Sequence, residues 1–198
     1  MNKRFISNLR WIIPAVVFLF LLGTAVIWWA ESSRGKLPIL GEIPEFSMTE
    51  RNGQPFGRTD LNGKISVVCF GFTHCRSICP TTCMYMSQLY NYFSGSDKIQ
   101  FLFISVDPER DSLRVLQAFA EKWGVMDNRW NFLRAPIEDV VRLSEEGFML
   151  PAEGLPGGHT YRFTLLDRQG RIRGYYDGTD EKSMMILKNH ISMLARER

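Results

Sequence analysis

The sequence predicts an α/β fold in which a mixed β-sheet carries helices on both faces. Two continuous apolar runs, residues 65–72 and 99–106, have the composition of strands that are buried on both sides. A segment with helical spacing of apolar residues follows each run, so the domain begins with the order βαβα. Two further strands joined by a short turn precede a last helix. A sheet that combines crossover connections with a hairpin is mixed.

The N-terminal part of the chain predicts a membrane anchor. Residues 11–30 carry no charge, and Thr24 is their one polar side chain. A helix of this length spans roughly 30 Å, the hydrocarbon thickness of a bilayer. A cleaved signal peptide is the alternative, but bulky Trp28 and Trp29 stand where such a peptide has small residues. We therefore expect one uncleaved transmembrane helix ahead of the α/β domain.

The charges around this segment predict its orientation. Residues 1–10 contain three basic residues, Lys3, Arg4 and Arg10. This bias predicts a cytoplasmic N-terminus and an extracytoplasmic C-terminal domain, in a bacterial inner membrane. Residues 31–43 read as a linker, and residues 44–198 as a single domain. The whole chain has 24 basic and 21 acidic residues. Because three of the basic residues lie in residues 1–10, the rest of the chain is nearly neutral, and we do not expect it to bind nucleic acid. We also expect the outer domain to be monomeric.

The remaining elements follow from apolar spacing and turn signals. The predicted strands are residues 46–49, 65–72, 99–106, 130–133, 160–166 and 172–176. The predicted helices begin after Pro80, after Asp111, near Ile137 and near Asp180. In the first helix the expected core residues are Met84, Leu89, Tyr90 and Phe93.

Cys75 and Cys79 lie between the first long apolar run and the helix that Pro80 opens. The amides and dipole of a helix N-terminus favour thiolates, so these residues form a candidate redox-active pair. The pair could exchange disulfides with partner thiols, or supply two soft ligands to Cu(I), zinc or an iron–sulfur cluster. A cysteine pair directly after a buried strand of a βαβ unit is typical of a thioredoxin-like site.

His159 favours a metal among these alternatives. It follows Gly157 and Gly158, just before a predicted strand whose start would lie beside the cysteine-bearing helix. Two thiolates and one imidazole suit Cu(I) and resemble the Cys/His ligation of Cu(II).

We do not expect the other cysteine, histidine and methionine candidates to act as metal ligands. We expect His74 to orient the loop or tune a thiolate, and Cys83 and Cys69 to be core residues. We expect His190 to be a surface or core residue of the last helix, and Met149 to fill space rather than act as an axial ligand.

The stretch from Gly71 to Thr82 resembles the Sco/SenC family, as do the segments Asp60–Lys64 and Ile104–Asp111 and the His159 strand. Members of this family are membrane-anchored, thioredoxin-like copper proteins involved in cytochrome c oxidase assembly. The resemblance implies that copper, as Cu(I), Cu(II) or both, is bound by Cys75, Cys79 and His159. It implies delivery to the binuclear site of oxidase subunit II or another cuproprotein, with other copper chaperones or a thiol reductant as further partners.

The chain departs from the family pattern near the cysteines and the histidine. Proline and an acidic residue commonly follow the first family cysteine, whereas this chain has Arg76 and Ser77. Gly158 and Thr160 flank the histidine in place of the frequent Asp and Ser, and Cys83 is an additional cysteine. We expect Arg76 to raise the local positive potential and favour thiolates.

Two other functions remain open from the sequence. The same cysteines could serve an extracytoplasmic thiol–disulfide reductase that acts on cuproprotein cysteines or in redox signalling, with His159 dispensable. A peroxidase of the peroxiredoxin type ranks third, because Arg76 stands where its threonine would precede the reactive Cys79.

Overall fold

The computed structural model describes residues 14, 16–26 and 36–197. Residues 16–26 are helical and exposed. The rest of the predicted anchor (residues 11–13, 15 and 27–30), together with residues 1–10 and 31–35, lies outside the described residues. Among the residues described, no helix is both long enough and apolar enough to cross a membrane.

A separate compact unit begins at Leu37 and contains one eight-stranded sheet. In chain order the strands are β1 (Gly41–Glu42), β2 (Ser47–Glu50), β3 (Pro55–Gly57), β4 (Ile65–Gly71), β5 (Ile99–Ser105), β6 (Trp130–Arg134), β7 (Arg162–Leu166) and β8 (Arg171–Asp177). Their order across the sheet is β1-β8-β7-β4-β5-β6-β2-β3. Strands β4, β5 and β6 pair in parallel, and every other described pairing is antiparallel. The predicted mixed sheet is confirmed.

Four α-helices cover the two faces: α1 (Cys79–Tyr92), α2 (Leu113–Lys122), α3 (Ile137–Arg142) and α4 (Glu181–Arg196). The alternation of side chains along β4 separates two cores. Val67 and Cys69 pack with α1, α2 and α4, whereas Val68 and Phe70 pack with α3 and the segment around Phe148. The thioredoxin-like arrangement expected from the sequence is therefore present, with three helices on one face and one on the other.

Three differences from the predicted elements have local causes. Residues 41–42 pair with β8 and Ile43 is buried, so part of the predicted linker packs with the domain. The predicted helix 137–146 is α-helical only to Arg142 and ends in a π-helical turn over Leu143–Gly147, in which the Phe148 amide donates to the Leu143 carbonyl. The seventh strand begins at Arg162 rather than at residue 160.

The assignment of Met84 to the core is wrong. Helix α1 buries Cys83, Met86, Leu89 and Tyr90 against the sheet. Met84 lies outside this buried face, and its side chain is 41% exposed. The apolar residues of α1 surround the helix, so their spacing alone did not distinguish its two faces.

Candidate metal centre

The first parallel strand and helix α1 position the two cysteines. Strand β4 ends at Gly71, and the loop that follows carries Cys75 toward the start of α1 at Cys79. No side chain oxygen caps this helix. Instead, the Cys79 amide donates to Cys75 Sγ over 3.5 Å. A free helix amide thus faces the sulfur and stabilises its anionic form.

Gly71 allows the Cys79 sulfur to lie against the end of the strand. A Cβ atom at residue 71 would stand 3.3 Å from Cys79 Sγ and 2.9 Å from Phe103 Cε2. The absence of a side chain at the strand end is therefore part of how the chain accommodates the second cysteine.

His159 completes a cluster of three donor atoms. Its Nε2 lies 3.5 Å from Cys79 Sγ and 4.0 Å from Cys75 Sγ. All three donor atoms lie within 4.8 Å of one another. An ion bound at roughly 2.0 Å from nitrogen and 2.3 Å from sulfur separates those donors by about 3.5–3.7 Å. The 3.5 Å separation lies in this range and the 4.0 Å separation lies just beyond it, so a small movement of Cys75 would bring both sulfurs and the nitrogen to one shared ion.

The orientation of the His159 ring suits this arrangement. Nδ1 lies 3.0 Å from the Thr160 carbonyl oxygen. Since a carbonyl only accepts, Nδ1 carries a proton, and Nε2 is the ring nitrogen that faces the two sulfurs. The Phe72 ring packs edge-on against the imidazole, with 5.3 Å between ring centres. These contacts orient the histidine in the way that second-shell partners orient metal ligands.

The pKa values of the two cysteines are shifted in opposite directions. Burial raises the pKa of Cys75, but hydrogen bonds from His159, the Cys79 amide and Ser77 outweigh it and lower the pKa to about 5. For Cys79, burial and the neighbouring Cys75 raise the pKa above its ordinary value, despite a backbone hydrogen bond. At neutral pH the metal-free site therefore holds one thiolate and one thiol.

A buried carboxylate fixes the loop that leads to Cys75. Asp111 has no exposed surface, and it accepts hydrogen bonds from the Thr73 hydroxyl (2.6 Å), the Thr73 amide (3.2 Å) and the Ser105 hydroxyl (2.6 Å). His74 lies on the outer side of this network, with Nδ1 2.9 Å from Thr73 Oγ1. Sequence reasoning gave Asp111 no role. Its position in an acidic turn directly after β5 was the available signal.

The structure explains two departures from the family pattern. A Cβ atom at Gly158 would collide with the Glu153 carbonyl oxygen, so the folded loop requires glycine there. Thr160 serves His159 through its backbone carbonyl, which any residue supplies. Arg76 is exposed, and the contacts that lower the pKa of Cys75 come from His159, Cys79 and Ser77 rather than from Arg76 as expected.

The other candidate residues lie apart from this donor cluster. Cys83, on the sheet-facing side of helix α1, and Cys69, on strand β4, are buried in the core, and burial raises the pKa of Cys83 to about 12. His190 contacts the Tyr176 hydroxyl at 2.7 Å. Met149 is 52% exposed, and its thioether packs beside Gly41. The expectation that Cys83 and Cys69 are core residues agrees with their burial.

Comparison with known proteins places the fold and these residues in one family. The sequence model of SCO1/SenC matches residues 41–194, which is more than half of the chain. The chain belongs to the SCO1/SenC family. The matched region includes all three members of the donor cluster and the buried Asp111.

Individual relatives of this family are similar over most of the domain. Mitochondrial protein SCO2 of Saccharomyces cerevisiae is 31% identical over 134 residues, which are 64% of this chain and 44% of the yeast protein. The chain thus spans less than half the length of that relative.

Two solved structures of the family superpose on the domain. A SCO1/SenC family lipoprotein from Bacillus anthracis is 29% identical, with a TM-score of 0.75, covering 82% of this chain and 99% of that one. Yeast Sco1 with copper bound is 26% identical, with a TM-score of 0.60, covering 80% of this chain and 95% of that one.

Proposed function

We propose that this SCO1/SenC protein binds copper through Cys75 Sγ, Cys79 Sγ and His159 Nε2. The observation that carries the proposal is the convergence of these three atoms within 4.8 Å, with nitrogen–sulfur separations of 3.5 and 4.0 Å. Two thiolates and an imidazole form a soft donor set that selects Cu(I) and also accommodates Cu(II). The copper-bound structure of yeast Sco1, a relative of similar fold, supports this choice of metal.

Each ligand has a distinct task in binding and release. Cys75 is already a thiolate at neutral pH and only partly buried, so it meets incoming copper first. Cys79 is buried and protonated in the metal-free site, and it loses its proton when copper binds. His159 is oriented by the Thr160 carbonyl oxygen and adds a third bond through Nε2. The exposed side of Cys75 is where a recipient's ligand would exchange.

We further propose that the protein passes this copper to the binuclear site of cytochrome c oxidase subunit II, or to another cuproprotein. Residues 11–30 would anchor it in the inner membrane, with residues 1–10 cytoplasmic, residues 31–36 as a tether and the α/β domain outside. The uncharged stretch and the preceding basic residues support this topology. An anchored domain meets a membrane-bound recipient at high effective concentration.

The test in cells compares oxidase activity in a strain that lacks the native protein and carries either the wild type or His159→Ala. The expected result is a loss of copper retention and of oxidase activity in the variant, comparable with Cys75→Ser. His190→Ala is the matched control and should behave as the wild type. Full oxidase activity together with unchanged copper content in His159→Ala would refute the ligand assignment.

One observation favours a thiol–disulfide reductase as the second candidate. A thiolate at Cys75 beside a buried thiol at Cys79 is the arrangement of an attacking and a resolving cysteine. In that case His159→Ala would retain function because both thiols remain. The third alternative, a peroxidase with Cys79 as its reactive residue, is disfavoured because Cys79 is 2% exposed and its pKa is raised.

A further inference from the structure

Methionine side chains line a groove between helices α1 and α4. The groove has a volume of about 500 Å³, and three of the chain's nine methionines line it: Met84, Met184 and Met185. Met84 and Met185 are 41% and 57% exposed. These two side chains are therefore not core residues, whereas Met184 is 5% exposed and belongs both to the core and to the lining of the groove.

The two helices run side by side in the same direction, which brings these thioethers close together. Near the start of α4, a Cβ atom on Gly178 would lie 3.0 Å from the Thr82 methyl carbon. Further along, Lys188 Nζ lies 3.4 Å from the centre of the Tyr92 ring. These two contacts place residue 82 beside residue 178 and residue 92 beside residue 188. In this register Met84 is about one helical turn, roughly 6 Å along the axis, from Met184. Flexible methionine side chains bridge such a distance.

The charges of the groove favour a cation at the end nearer to Cys79. Glu181 lines the groove at the first turn of α4, beside Met84 in this register. The ammonium of Lys188 is held over Tyr92, one turn beyond Met184. Thioethers are soft, uncharged donors that select Cu(I) over hard divalent cations.

We propose that this groove is a second, weaker binding site for Cu(I), formed by the thioethers of Met84, Met184 and Met185 with the Glu181 carboxylate. The site shares helix α1 with Cys79 but uses none of the three donors described above. Thioethers need no proton loss and do not form disulfides. The groove therefore retains Cu(I) whether or not Cys75 and Cys79 are reduced.

The first test uses Ag(I), a redox-inert probe for Cu(I), on the full-length chain in detergent with Cys75→Ser, Cys79→Ser and His159→Ala combined. Methionine methyl groups labelled with carbon-13 report where the ion binds. We expect saturable shifts at Met84, Met184 and Met185. Met126, which is 89% exposed and outside the groove, is the internal control and should not shift.

The second test adds Met84→Leu and Met185→Leu to that protein, since leucine preserves volume without a donor sulfur. Silver affinity measured from the Met184 shift should fall at least tenfold, whereas Met126→Leu should leave it unchanged. Equal shifts at Met126 and the groove methionines, no shift at all, or full affinity in the double leucine variant would each overturn the proposal. Because the three donors of the first site are absent, failure here leaves the proposed function of Cys75, Cys79 and His159 untouched.

Discussion

At the scale of single residues, the site depends on the contrast between two cysteines four positions apart, one in the loop and one at the start of helix α1. Cys75 receives a helix amide and faces His159, whereas Cys79 lies against the strand end and is almost fully buried. The same pair of side chains thus divides into an accessible thiolate and a protected thiol. This division explains how copper can arrive at one sulfur and be retained by both.

The acidity of Cys75 can be measured directly in the metal-free protein. Its rate of alkylation by iodoacetamide should rise with pH through a midpoint of about 5, because only the thiolate reacts. Cys79 should remain unmodified up to pH 8. Peptide mass mapping of the quenched reaction identifies each site.

His159→Ala serves as the control for that measurement. His159 is the largest of the contacts that lower the pKa of Cys75, so its removal should move the midpoint to higher pH. An unchanged midpoint in this variant, or a midpoint near 8 or above in the wild type, would contradict the description of the site.

At the scale of elements, strand β4 and helix α1 meet at a contact that tolerates no side chain. Gly71→Ala would place its new methyl group 2.9 Å from Phe103 Cε2 and 3.3 Å from Cys79 Sγ. We expect a loss of about 1–3 kcal/mol in the free energy of unfolding, because overpacking shifts neighbouring groups. Copper affinity should also fall, since the Cys79 sulfur must move. Urea unfolding and copper titration measure the two effects.

The matched control is Gly95→Ala, where an added Cβ atom has no neighbour within 4 Å. This variant should retain both stability and copper affinity. If Gly71→Ala behaves in the same way, the strand end does not position Cys79 as described.

A second element, the turn between β7 and β8, makes stability depend on pH. Burial raises the pKa of Asp167, but hydrogen bonds from Arg171, Arg173 and Gln169 lower it overall, with Oδ2 2.9 Å from Arg173 Nη1. A carboxyl whose folded-state pKa is lowered contributes stability above its unfolded value of about 3.9, and this contribution is lost as the pH falls through the folded value.

Asp167→Asn should therefore destabilise the protein at pH 7 by at least about 1 kcal/mol, because it removes the nearer of the two carboxylates that pair with buried Arg173. Its difference from the wild type should shrink at pH 3. Exposed Asp97→Asn is the control and should show little difference at either pH. Urea unfolding of the metal-free proteins at both values gives the comparison. A difference that is equal at pH 7 and pH 3 would count against this role of Asp167.

The elements that the sequence predicted well are those with strong local patterns. The apolar runs of β4 and β5 and the start of α1 at the Cys–Pro step agree with the structure within one residue. Strand β1 was missed because it is two residues long and exists only through pairing with the distant strand β8. The exposed face of α1 around Met84 was missed because packing, not spacing, decides which apolar residues are buried.

At the scale of the whole molecule, the donor cluster joins residues 84 positions apart in the chain. The sequence predicted that Cys75, Cys79 and His159 meet, since the thioredoxin-like order brings the loop before β7 beside the start of α1. It could not predict that Ser77 and Asp111 support them, because those contacts depend on how two loops fold against each other. The fold thus places one soft donor set beside the carboxyl end of the parallel strand β4.

The most direct test of the central claim is an anaerobic Cu(I) titration of the reduced full-length chain against a competing chelator. The wild type should bind one equivalent tightly, and Cys75→Ser, Cys79→Ser and His159→Ala should each weaken this binding at least tenfold. Cys83→Ala and His190→Ala, which alter residues outside the donor cluster, should bind as the wild type does. Equal affinity of His159→Ala and the wild type, or a loss in Cys83→Ala as large as that in Cys79→Ser, would contradict the account.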